Sequence, residues 1–114
     1  MKLTKIEDYF KGWVVGNFNP SLFKTDDFEV AVKYYNQGDY EPKHHHKVAT
    51  EITIITKGNV VMNGIPYTEG DVITIEPGDS TDFKVLDDTT TTVIKFPCVA
   101  GDILITRYTR HFVS

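Results

Sequence analysis

The stretch from Gly38 to Gly58, GDYEPKHHHKVATEITIITKG, places three consecutive histidines shortly before a strand-like run rich in Ile and Thr. Side chains alternate across an extended strand, so His44 and His46 share one face while His45 takes the other. Glu51 begins the next run after a very short turn, which could bring its carboxylate beside the two imidazoles. Two histidines and one carboxylate form the facial triad of non-haem iron sites, and imidazole also suits zinc, copper and nickel.

The same histidines allow a plainer interpretation. A histidine run among lysines is also typical of a solvated strand that binds nothing, and short motifs of this kind match by chance at a real rate. The spacing alone therefore leaves two hypotheses open, a metal site and a solvated strand.

The rest of the chain reads mainly as short strands separated by turn signals. Asn63-Gly64 between two apolar runs predicts a hairpin with a type I′ turn, because Asn and Gly tolerate positive φ. Strand-like runs extend from residue 28 to residue 108 and end with a weaker strand over Ile103 to Tyr108. Many short strands at regular spacing predict an all-β sandwich or barrel, and a jelly roll is one way to hide the sheet edges.

One short helix is predicted before these strands. Thr4 to Lys11 has apolar residues near helical spacing, and Thr4 with Glu7 has the spacing of a capping box. We therefore expect a single domain over residues 1–114, with a helix and a connecting segment in 1–27 and the β-barrel in 28–108.

Bulk composition excludes several classes of protein. The 114 residues carry a net charge of −4, which gives no general attraction for nucleic acid or an anionic membrane. No apolar run reaches the length of a membrane-spanning helix, and the N-terminus lacks the apolar stretch of a secretory signal. Cys98 is the only cysteine, which excludes an internal disulfide and suits a reducing compartment. We expect a soluble, cytoplasmic protein.

The stretch from Gly38 to Gly58 resembles the first motif of the cupin superfamily. That motif runs Gly, five residues, His-x-His, three or four residues, Glu, six residues, Gly. Gly38, His44, His46, Glu51 and Gly58 match every interval. The resemblance extends over about residues 28 to 96 and implies a cupin jelly roll, also called a double-stranded β-helix.

The second cupin motif is incomplete in this sequence. Gly70 and Gly78 have the family's separation, but the expected histidine is Thr81 and the expected asparagine is Val85. One of the four usual metal ligands is therefore missing. Water or a substrate could take its place, or the cluster could bind a polar ligand directly without a metal.

The resemblance implies a divalent transition metal (Fe, Zn, Ni, Mn or Cu) held by His44, His46 and Glu51, and a small polar molecule inside the barrel. Dioxygenation or isomerisation of a small metabolite or sugar is the activity that it implies. The alternative is a non-catalytic sugar-binding, metabolite-binding or sensor module with a degenerate metal site. The residues themselves indicate no separate general base.

Lys95 and Tyr34 have two interpretations each. Lys95 shares a face with Val93; it either reaches the cavity as a cation for an anionic substrate or is a solvated strand lysine, the commoner case. Tyr34 shares a face with apolar neighbours and either lines the pocket or belongs to the core.

If Glu51 faces the cavity, Ile52 and Ile54 face outward, where the N-terminal segment or a second subunit must cover them. A homodimer is the prediction that follows.

Overall fold

Nine strands form two antiparallel sheets within residues 1–98, which are the residues that the computed structural model describes. The five-stranded sheet has the order β1-β2-β9-β4-β7, and the four-stranded sheet has the order β3-β8-β5-β6. The strands are β1 Trp13–Val15, β2 Glu29–Tyr35, β3 Tyr40–His44, β4 Thr50–Lys57, β5 Asn59–Met62, β6 Ile65–Thr68, β7 Val72–Ile75, β8 Thr81–Val85 and β9 Thr89–Phe96. The predicted all-β jelly roll is confirmed. The strand expected over Ile103 to Tyr108 lies outside the described residues.

The predicted hairpin is confirmed in detail. Met62 of β5 pairs with Ile65 of β6, and the two residues between them, Asn63 and Gly64, have φ values of 50° and 77°. Positive φ at both central positions is the signature of a type I′ turn, whose twist matches that of the flanking strands. The Asp82 carboxylate accepts a 2.8 Å hydrogen bond from the Asn63 backbone N–H and so ties the turn to β8.

The predicted N-terminal helix is wrong in type and extent. Two single turns of 3-10 helix, Ile6–Asp8 and Phe10–Gly12, replace the helix expected over Thr4 to Lys11. Tyr9 between them is extended, with φ −112° and ψ 151°. A pattern of about eight residues is too short to propagate an α-helix on local preference alone.

The segment assigned to the helix and connection also contains a strand. Trp13 of β1 pairs with Ala31 of β2, which brings the Trp13 side chain into the interior with only 3% of it exposed. Gly12 permits this approach, because it has a φ of +82° and a Cβ there would collide with the Val32 carbonyl oxygen. Sequence position 28 is therefore not the start of the sheet.

The main apolar core lies between the two sheets. Its buried members are Tyr35, Ile55, Val60, Met62, Ile75, Phe83 and Val85. Tyr35 and Phe83 pack across the interior with ring centroids 4.9 Å apart and planes tilted by 45°. This tilted arrangement is a favoured geometry for aromatic pairs.

The outer surface of the five-stranded sheet carries Ile52 and Ile54, which are half-buried, while the alternate residues Thr53 and Ile55 are buried inside. The predicted orientation of these isoleucines is confirmed. The second subunit expected to cover them stays a prediction.

In residues 1–98 no helix is both long enough and apolar enough to cross a membrane.

Candidate functional site

A pocket enters the barrel between the two sheets. Together with its open mouth it encloses about 680 Å³. Its wall includes His44, His46 and Glu51, as well as Thr81, which stands where the cupin pattern has a histidine. The sequence therefore located the pocket, and the arrangement of these side chains decides what it can do.

His46 and Glu51 are in direct contact. His46 Nε2 lies 3.2 Å from Glu51 Oε1, and only 3% of the histidine is exposed. β3 stops at His44, and His46 follows it just before a bend at residues 47 and 48. The backbone N–H of Gly78 donates a 2.9 Å hydrogen bond to the His46 carbonyl and holds this bend against the turn after β7.

His44 is oriented by the backbone. Its Nδ1 donates a 2.9 Å hydrogen bond to the Pro42 carbonyl oxygen, so Nε2 carries the lone pair of the neutral ring. Histidines that bind metals commonly donate their second ring nitrogen to a backbone carbonyl in this way. The rings of His44 and His46 meet edge to face, with centroids 6.0 Å apart.

The donor atoms fit a transition metal in type, and two of the three fit in spacing. Two ligands each about 2.1 Å from one ion lie roughly 3.0–3.4 Å apart at tetrahedral to octahedral angles. The 3.2 Å between His46 Nε2 and Glu51 Oε1 falls in that range. In the described part of the chain, however, no three His, Cys, Asp or Glu side chains are grouped closely enough to hold an ion. His44 would have to approach the other two.

Thr81 pairs with His44 across the β3–β8 ladder, so it does occupy the position next to the site. Its hydroxyl donates a 2.7 Å hydrogen bond to the Asp82 carbonyl oxygen. A neutral hydroxyl engaged in this way is a poor substitute for an imidazole. Asp82 is no replacement either, because its carboxylate accepts the hydrogen bond that stabilises the Asn63 turn.

Glu51 is held in its ionised form. Burial alone would raise its pKa, but the hydrogen bond with His46 and the nearby Lys95 ammonium more than offset that effect. The Thr53 hydroxyl adds a 2.8 Å hydrogen bond to Oε2. The resulting pKa is about 2, so the carboxylate is charged at neutral pH.

A row of charges crosses three strands behind the site. In the ladder, Lys95 of β9 is opposite both Glu29 of β2 and Glu51 of β4. Its ammonium lies 3.9 Å from a carboxylate oxygen of each and 4.9 Å from the centroid of the Trp13 ring. Lys95 lines the pocket and is 5% exposed, so it reaches the cavity and the solvated interpretation is wrong, while its role towards an anionic substrate stays a prediction. We call Glu29, Lys95 and Glu51 the charged row.

Sequence reasoning missed Glu29 and Lys33 on the inner face of the five-stranded sheet, of which Lys33 lines the pocket. Both are buried, and they alternate along β2 with residues that point outward. Tyr34 is one of the outward residues and is 64% exposed, so neither of its predicted roles is correct. Tyr35 faces the pocket instead. The period-two pattern of β2 was visible in the sequence, but such a pattern does not determine which of the two faces lies inside the barrel.

Tyr35 and Glu41 form a second polar group in the pocket wall. Burial, followed by the charge of Glu41, raises the pKa of Tyr35. Burial also raises the pKa of Glu41, against the opposing effect of His44. The pocket thus contains two carboxyl groups whose environments move their pKa values in opposite directions.

Cys98 lies beside the charged row. Its thiol donates a 3.1 Å hydrogen bond to Glu29 Oε2. Burial, with the acceptor Glu29 adding to it, raises the pKa of the thiol to about 11. A thiol that stays protonated is a weak nucleophile and agrees with a structural role.

Comparison with known proteins supports the fold. No protein-family model matches the sequence, and no curated protein matches it either. Solved structures do match. A protein with a double-stranded β-helix domain from Klebsiella pneumoniae is 18% identical, with a TM-score of 0.65 over 89% of this chain and 94% of that one.

Two further structures extend the comparison. KdgF from Halomonas sp. is 17% identical, with a TM-score of 0.60 over 68% of this chain and 74% of that one. The Escherichia coli pirin YhhW in complex with nickel(II) is 19% identical, with a TM-score of 0.65 over 77% of this chain and only 39% of its own length. Identities this low establish a shared architecture. The chain therefore has the cupin, or double-stranded β-helix, fold that its first motif predicts.

Proposed function

We propose that this protein is a metal-binding cupin that holds a small polar molecule in its barrel, with His44, His46 and Glu51 as the ligands of a divalent transition metal. The observation that carries the proposal is the 3.2 Å contact between His46 Nε2 and Glu51 Oε1 on the pocket wall. Iron, zinc, nickel, manganese and copper all accept mixed nitrogen and oxygen donors. The nickel(II) complex of the structurally similar pirin supports this choice of metal class.

The side chains around the proposed ligands have definite tasks. The Pro42 carbonyl fixes the ring of His44, and the Thr53 hydroxyl orients the carboxylate of Glu51. Met62, Phe83 and Ile75 give the pocket an apolar wall that limits the access of water. The ion, when bound, would act as a Lewis acid or bind oxygen. Dioxygenation or isomerisation of a small metabolite or sugar is the activity that we propose on this basis.

The second candidate is a metal-free binding or sensor module. Thr81 in the position of the fourth ligand favours it, as does the Lys95 ammonium 3.9 Å from the proposed carboxylate ligand. In such a module, His46 and Glu51 would hydrogen-bond the polar ligand directly. The same fold supports both functions, so the choice depends on the metal content.

Elemental analysis of native, untagged protein decides between the two candidates. We expect one divalent transition-metal ion per chain in the native protein and loss of most of it in Glu51→Gln, with an unchanged circular dichroism spectrum. Glu76→Gln, an exposed glutamate in the turn after β7, is the matched control and should retain the metal. Full metal content in Glu51→Gln would remove this carboxylate from the ligand set. A native protein without stoichiometric metal would favour the binding module.

A further inference from the structure

We propose that the ligand of this pocket carries an oxyanion, a carboxylate or a phosphate, and that Lys33, Lys95 and Thr91 bind this group on the inner face of the five-stranded sheet. The inference deepens the proposed function and rests on it, since it names the substrate class of the same pocket. We call these three residues the anion wall.

Thr91 and Lys33 form the centre of the anion wall. They are direct partners in the β2–β9 ladder, and both line the pocket. Directly opposed side chains on one face of an antiparallel pair lie close together, which places the hydroxyl beside the stem of the lysine. Only 1% of Thr91 and 5% of Lys33 is exposed, so both are built into the interior.

The buried hydroxyl of Thr91 can donate a hydrogen bond to a ligand in the pocket. Within residues 1–98, its Oγ1 is buried and has no hydrogen-bond partner. Buried polar atoms are nearly always hydrogen-bonded, and one that lines a pocket can be satisfied by what the pocket binds. An oxyanion would accept the hydrogen bond that this hydroxyl can donate.

Lys33 and Lys95 line the same pocket, and each is only 5% exposed. Both positive charges also lower the pKa of Glu41 in the pocket wall, where burial raises that pKa and His44 is the larger opposing charge. Two lysines directed into one small pocket are unusual, because lysine is rarely buried at all.

The test uses native metal-loaded protein freed of excess metal. Titration calorimetry and thermal melting compare three probes: lactate, its uncharged amide lactamide, and inorganic phosphate. We expect lactate or phosphate to bind about tenfold or more tightly than lactamide and to raise the melting temperature, because hydrogen bonds to charged groups are strong. Tighter binding of phosphate would indicate a phosphate ester as the ligand, and tighter binding of lactate a carboxylic acid.

Variants assign the binding to the anion wall. Lys33→Met should weaken anion binding about tenfold or more, and Thr91→Val about fivefold, in line with the loss of a charged and a neutral hydrogen bond. Lys33→Arg keeps the charge and should retain most of the affinity, which separates loss of charge from loss of fold. Lys84→Met, on the exposed face of β8, should bind as the native protein does.

The outcomes separate this inference from the proposed function. Metal-loaded protein that binds neither anion, or binds them equally well after Lys33→Met, overturns the anion wall and leaves the metal site standing. Protein that contains no metal yet binds an anion through Lys33 overturns the metal site and keeps the anion wall. Equal binding of lactate and lactamide also overturns the anion wall.

Discussion

The inner faces of the two sheets differ sharply in chemistry. The five-stranded sheet buries Glu29, Lys33 and Lys95, three threonines (Thr53, Thr89 and Thr91), and the apolar Trp13, Ala31, Tyr35, Ile55, Ile75 and Val93. On the four-stranded sheet the fully buried residues are all apolar, namely Val60, Met62, Phe83 and Val85, while Glu41 of β3 is half-buried in the pocket wall. We call the inner face of the five-stranded sheet the charged side and the inner face of the four-stranded sheet the oily side.

The contrast shows how a small barrel can have both a core and a site. Apolar burial on the four-stranded sheet favours folding, at roughly 25 cal/mol for each Å² removed from water. Charges buried on the other sheet give little net stability even when paired, since their desolvation offsets their attraction. Selection for function is the simplest reason to keep them there.

The largest effect is expected from Lys95→Met in the charged row. The substitution removes the ammonium that faces Glu29 and Glu51 and leaves both carboxylates in the interior. Removal of one partner from a buried ion pair costs roughly 3–5 kcal/mol of unfolding free energy. Urea denaturation of chelator-treated protein measures this loss.

The control for this prediction is Lys84→Met, which makes the same chemical change on an exposed position of β8. Surface substitutions of this kind usually stay within about 0.5 kcal/mol. A loss under about 1 kcal/mol in Lys95→Met would mean that the charged row is already solvated, and the contrast between the sheets would weaken.

An intermediate effect is expected from Val60→Ala on the oily side. Val60 is fully buried in the main core, away from the pocket lining. Loss of its methyl groups, with the small cavity they leave, should lower the unfolding free energy by about 2 kcal/mol. Metal content and anion binding should not change. A change in metal content or in anion binding would show that the oily side also shapes the site. The contrast between the two sheets does not predict such a change.

The sequence predicted the oily side well. The Asn63-Gly64 hairpin turn was predicted from its strong local signature. The buried residues of this sheet, Val60, Met62, Phe83 and Val85, are also the ones that the ordinary rule of apolar residues facing inward selects. The first motif also placed His46 and Glu51 together correctly, because only a short turn separates them in the chain.

The charged side was predicted poorly, and β2 shows why. Its residues alternate in two sets, and the outward set contains Val30 and Val32, which an apolar-inside rule assigns to the interior. The inward set contains Glu29 and Lys33, whose burial depends on Lys95 and other residues more than 50 positions away. No local pattern contains that information. The N-terminal helix failed for a related reason, since β1 forms only through its pairing with β2.

The smallest effect is expected from Glu41→Gln, and it depends on pH. Burial raises the pKa of Glu41 above 4.5, so the folded state holds its proton more tightly than the unfolded state does. The stability gained from that proton is present below pH 4.5 and is lost as pH rises through the folded pKa. Glutamine cannot ionise, so the variant should match the native protein in acid and melt at a higher temperature at neutral pH.

Thermal melts from pH 4 to 8 measure this difference, with Glu69→Gln on the surface as the control for the loss of one negative charge. A difference between Glu41→Gln and the native protein that is the same at every pH would mean that Glu41 does not titrate as a buried acid. A variant that is less stable at neutral pH would mean that the charges of His44, Lys33 and Lys95 outweigh burial. Glu41 would then be ionised in the pocket wall, and its negative charge would oppose an incoming anion.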